Sequence, residues 1–160
     1  MDDFDLYRLF KTLHILAVMA LAGGVAIDTL VGPLMAKAKN ITELKAYVRM
    51  GRISEDYVQI PAAVLIILFG YATADRLGID LDTTWLLIAQ VLFYAVLAVF
   101  VLYMRRALKE LDTAIRPLPE GPIPDNVRAM ITNPMPGIVG SIMGVAFIVI
   151  VYLMVAKPAW

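Results

Sequence analysis

Polar residues divide this chain into four apolar runs, at roughly residues 6–35, 57–74, 85–103 and 137–155. Each reaches the about 20 helical residues that a bilayer's hydrocarbon core requires. The pattern predicts an all-α fold, a four-helix transmembrane bundle of antiparallel neighbours forming one integral membrane domain over residues 1–160. At about 1.5 Å per residue the first run is longer than the bilayer is thick, so helix one is expected to tilt or to project beyond it past Pro33.

Two connections carry patterns of their own. In "NITELKAYVRM", Asn40 can cap a helix, Glu43 completes a capping box, and Ile41, Leu44 and Val48 share one face. This predicts a short amphipathic helix between helices one and two, lying on the cytoplasmic membrane surface. The proline-rich "RPLPEGPIPDNVRAMITNPMP" predicts an ordered loop with at most one helical turn around Asp125 to Ile131.

Composition fits the pattern, with 61% hydrophobic residues, 18% charged and a mean hydropathy of +0.77. That is a membrane protein rather than a soluble domain. The formal net charge is zero, which gives nucleic acid no attracting field. Cysteine is absent, so disulfides, iron–sulfur clusters and thiolate metal sites are excluded. The start, "MDDFDLYR", lacks a basic region and a cleavage site, so the first run is expected to be retained.

Lysine and arginine set the expected orientation. Lys37, Lys39, Lys45, Arg49 and Arg52 lie between runs one and two, and Arg105, Arg106, Lys109, Arg116 and Arg128 between runs three and four. Only Arg8, Lys11, Arg76 and Lys157 fall on the opposite side. The excess marks the cytoplasmic side and predicts both termini outside, in a bacterial inner membrane. Tyr7, Tyr57, Trp85, Tyr103, Tyr152 and Trp160 fall near span ends, as interfacial anchors do.

Within helix one, 100° per residue places His14, Ala17, Leu21, Gly24, Asp28 and Gly32 along one side. Small and polar residues drive helix association in lipid, so this stripe should face the bundle interior. Helix four offers Gly137, Gly140 and Gly144, the last two a GxxxG pair, at the depth of Gly24 to Gly32. Contact between helices one and four is therefore expected, with self-association of two chains as the competing use of these glycines. Depth matching gives His14 the expected partners Gln90, Tyr94 and Tyr71. It gives Asp28 an ion pair with Arg105 or Arg52, the natural way to bury a carboxylate.

"LYRLFKTLHILAVMALAGG" opening helix one and "VAFIVIVYLMVAKP" closing helix four resemble bacterial predicted integral membrane proteins of unknown function. These are grouped with the copper-resistance CopD type and the HemJ type of protoporphyrinogen oxidase. The resemblance spans almost the whole chain in length and helix count. It implies that His14, three residues after Lys11, stands where the HemJ type holds haem b.

Three readings follow from these residues. The first is an accessory or structural subunit of a membrane assembly, whose polar stripe holds the helices together and whose partners are the lipid bilayer, other membrane subunits or a second copy. The second is a haem-binding redox protein, a membrane oxidoreductase using His14; with one histidine, bis-histidine ligation needs a dimer. The third is copper handling, for which thioether clusters are required and the methionine spacing shows none. No metal site and no complete catalytic set is expected, and no Walker loop, Gly-x-Ser-x-Gly elbow or His-Glu-x-x-His helix occurs.

Overall fold

The computed structural model describes residues 3–158, all of the ordered structure being helical. Trp160, expected as an anchor, and the first two residues of the acidic start lie outside the described residues. The elements are α1 (Asp3–Lys37), α2 (Ile41–Ser54), α3 (Ile60–Arg76), α4 (Thr84–Val99), α5 (Arg105–Ile115), α6 (Asp125–Ile131) and α7 (Met135–Ala156). Four continuous rods are long and apolar enough to cross a membrane, as the hydropathy pattern predicted.

The second and third rods are longer than their apolar runs. α2 passes into α3 through a π turn, Glu55–Gln59, and α4 passes into α5 through a second, Phe100–Met104. Pro61 accounts for the first: it has no N–H, and its ring crowds the carbonyl four residues back, at Tyr57. The turn before it widens, and the Ile60 N–H bonds to the Glu55 carbonyl. Helix direction is kept where a proline kink would otherwise have separated the connecting helix from the span.

Within the apolar belt the rods pack as two pairs, α1 with α3 and α4 with α7. Phe10 stacks on Phe69 across the first seam, their ring centroids 6.2 Å apart. Ala89, Ile150 and Leu153 fill the second. Tyr71, Gln90 and Tyr94 tie one pair to the other. The Tyr71 hydroxyl donates to Gln90 Oε1 at 2.9 Å and lies 3.0 Å from the Tyr94 hydroxyl, and Gln90 Nε2 donates to the Leu81 carbonyl at 3.0 Å. Gly78, at φ 61°, supplies the left-handed turn that brings the two rods together.

At the basic end α2, α5 and α6 form a helical head. Ala38, Leu44, Val48, Leu111, Ile115 and Val127 make its core. Asn40 caps α2 by accepting the Glu43 N–H at 2.8 Å, as its sequence pattern predicted, while the Glu43 carboxylate accepts from the Lys39 N–H, one residue earlier than a standard capping box. Lys45 Nζ donates to the Leu118 carbonyl at 2.8 Å, and Arg128 donates to the Ala38 carbonyl at 3.0 Å, so basic side chains close the head over its own backbone.

Two expectations are corrected here. The apolar face of α2 does not rest on a membrane surface: Leu44 and Val48 are buried against α5 and α6, because the continuous rod carries α2 onward alongside the equally continuous α5. Helices one and four do touch, but not along their glycines. A Cβ at Gly32, Gly137 or Gly144 would meet nothing within 4 Å, and one at Gly140 only the Met104 methyl at 3.9 Å. The three residues between α1 and α2 return the second rod along the first, so it takes the Gly24 face before α7 can.

Leu44 has no exposed surface, so Leu44→Ala should cost about 2–5 kcal/mol. Helicity monitored through chemical unfolding in detergent should show the head melting first, with the apolar rods retained.

Candidate functional site

α1 and the second rod approach each other closely at Gly24. A Cβ built there would lie 2.5 Å from Gln59 Cγ and 3.4 Å from Ser54 Oγ, so only glycine admits this contact. Ser54 donates to the Gly24 carbonyl at 3.3 Å. The Gln59 amide donates to Ser54 Oγ at 3.0 Å and to Asp28 Oδ2 at 2.7 Å. Gln59 and Ser54 are both buried. One amide group thus satisfies a hydroxyl and a carboxylate in a seam where water would otherwise have to enter.

Charged residues extend this polar junction. Arg52 forks between Glu55 Oε2 at 3.3 Å and Asp56 Oδ2 at 3.1 Å. Arg105, the first residue of α5, reaches Asp56 Oδ1 at 2.7 Å and fastens the two rods at their π turns. Glu55 is 3% exposed. Such turns concentrate at functional positions, and here both border one ionic cluster.

The predicted ion pair of Asp28 with Arg105 or Arg52 does not form. Asp56 lies four residues after Arg52 on the same rod and faces Arg105, so it meets both guanidiniums before the α1 carboxylate can. Asp28 is held instead by the neutral Gln59 amide. His14 is likewise redirected from Gln90, Tyr94 and Tyr71. Its Nδ1 donates to the Ile66 carbonyl at 3.0 Å, in a recess left by Gly70, whose added Cβ would stand 3.1 Å from His14 Cε1. The two tyrosines and Gln90 do come together, but they satisfy one another across α3 and α4.

The His14 bond fixes the ring's proton on Nδ1, because a carbonyl only accepts, and leaves Nε2 as the nitrogen able to ligate. Among the described residues no group of three His, Cys, Asp or Glu could hold a metal ion. The donor set therefore fits a multidentate metal centre poorly and offers a haem one imidazole.

Sequence reasoning passed over Ser54, Glu55 and Asp56. The available signal was "SED" directly before an apolar run and "QIP" starting five residues after Ser54. Read with α-helical spacing, these residues look like an ordinary hydrated span boundary. Only the π turn brings Ser54 and Gln59, five apart, onto one bonded face.

Gly24→Ala should displace Gln59 and destabilise the chain by about 1–3 kcal/mol, through overpacking and loss of the bonds to Asp28 and Ser54. Gly23→Ala, whose Cβ meets nothing within 4 Å, should be neutral or slightly stabilising in the same thermal unfolding measurement.

No curated protein and no solved structure matches the chain. A family model described as "Predicted integral membrane protein (DUF2269)" matches residues 8–158. With four apolar rods and a match over nearly its whole length, the chain belongs to this family of integral membrane proteins.

Proposed function

We propose that the chain is a structural or accessory subunit of an assembly in the bacterial inner membrane, with the helical head in the cytoplasm and both termini outside. The orientation is supported by the ten lysines and arginines at the head end against four at the other. The observation that carries the subunit reading is the openness of α7. It is the least covered of the four rods, with 11% of its most apolar window buried, and its Gly137 and Gly144 positions are unfilled. In lipid, a glycine-lined groove is where another helix gains close backbone contact, and among the described residues only the Met104 methyl approaches it. The polar junction at Gly24 holds the remaining rods without help from that surface.

Native mass spectrometry of the chain released from membranes by mild detergent tests this reading. The wild type is expected as a complex, with itself or with other membrane subunits, and Gly140→Leu should shift it towards the single chain. Because the chain has no cysteine, Ile148→Cys, exposed one turn beyond Gly144 on the same side of α7, gives an unambiguous oxidative crosslink. A single-chain mass for the wild type, with no crosslinked product from Ile148→Cys, overturns the proposal.

The fixed tautomer of His14 favours one alternative, a haem held through Nε2 in a redox protein. Haem would supply one-electron chemistry, while the chain's part is to orient the imidazole through the Ile66 carbonyl. On that reading haem-supplemented protein shows a Soret band that His14→Ala abolishes. Absence of the band, or its survival in the variant, eliminates the alternative.

A further inference from the structure

The junction between the two π turns carries more acid than base. Asp28 on α1 and Glu55 and Asp56 in the first π turn are three carboxylates; Arg52 on α2 and Arg105 on α5 are two guanidiniums. The charged groups that act on Glu55 are these four others. α4 and α7 contain no charged residue, and α3 has none until Asp75, near its far end.

The two cations are not shared evenly. Arg105 is 2.7 Å from Asp56, and Arg52 is closer to Asp56, at 3.1 Å, than to Glu55, at 3.3 Å. Asp28 receives an amide N–H from Gln59, and among the described residues no cation pairs with it. Ser54 and Gln59, both neutral, stand between α1 and the first π turn. Glu55 is buried, whereas Asp56, Arg52 and Arg105 keep part of their side chains open. Leu30 and Leu34 on α1, Ile53 and Tyr57 on the second rod, and Leu102 on the third are exposed apolar side chains flanking the junction. It therefore lies where the lipid-facing rods meet the head, and a buried carboxylate there without a cation of its own is strongly disfavoured.

We propose that this junction is a proton-binding site at the boundary between the lipid-facing rods and the head, in which one proton shared between Asp28 and the buried Glu55 brings three acids and two bases to neutrality. Uptake converts one carboxylate and one proton, drawn from water, into a carboxylic acid; no other bond changes. Release leaves both Asp28, on α1, and Glu55, in the first π turn, ionised. Their repulsion bears on Gln59, so the seam between α1 and the first π turn is tight with the proton held and loosens when it leaves.

Infrared spectroscopy of the full chain in lipid nanodiscs reads the proton directly, since a carboxylic acid and a carboxylate absorb in separate carbonyl regions. At neutral pH, where exposed carboxyls are ionised, the wild type should show a carboxylic-acid band that disappears as the medium is made alkaline. Asp28→Asn and Glu55→Gln should each abolish it, because either change leaves two acids facing two bases. A wild type without the band at neutral pH overturns the proposal, as does a band that survives both substitutions. A band lost in only one variant overturns the sharing and assigns the proton to that residue alone. The wild-type measurement decides the central point even if a variant fails to fold.

Discussion

Polar groups inside a bilayer have to find their partners within the protein, and the Gly24 seam is where this chain meets that constraint most tightly. Gln59 reaches both Ser54 and Asp28 with one amide group, and it can do so only because residue 24 has no side chain. Backbone approach and polar satisfaction are here the same event. A larger residue at position 24 would displace Gln59 and leave a carboxylate and a hydroxyl exposed to hydrocarbon together. Arg52 and Arg105 extend the bonding to α5, so all three rods that enter the head are joined at one level.

Continuity of the rods carries that joint outward. A proline at position 61 could have ended or bent the second rod; the π turn before it keeps the helix running and turns Ser54 and Gln59 towards α1. Above the joint lies lipid-facing surface, and below it a conventional apolar core of Leu44, Val48, Leu111 and Ile115. Hydrophobic burial stabilises the head, whereas close packing and hydrogen bonds hold the rods, since lipid offers apolar side chains no worse an environment than a neighbouring helix does.

The number and apolar character of the spans were legible because hydropathy over about 20 residues is a property of composition. So was the Asn40 cap, which depends on neighbours in sequence, whereas the segment expected to hold at most one turn forms the seven-residue helix Asp125–Ile131. Helix pairing was not legible. Glycines at matching depth pointed to α1 against α7, but depth is shared by every rod, and the short connection after Lys37 decided in favour of the second. The partners of Asp28 and His14 were missed for a related reason. Opposite charge is a sound rule for choosing among free cations, yet Asp56 had already engaged both arginines. A backbone carbonyl such as that of Ile66 leaves no mark in the sequence as an acceptor for histidine.

The two polar residues of α1 therefore owe their different surroundings to the residues opposite them rather than to their own chemistry. His14 meets a helix face with a glycine recess and an accessible carbonyl, and one hydrogen bond satisfies a neutral ring. Asp28 meets a π turn rich in acid, whose bases are occupied, and an amide can orient a carboxylate without neutralising it. The first arrangement is complete as it stands among groups of this chain. The second is geometrically satisfied but electrically unbalanced, and charge balance, unlike hydrogen bonding, cannot be met by rearranging the same side chains.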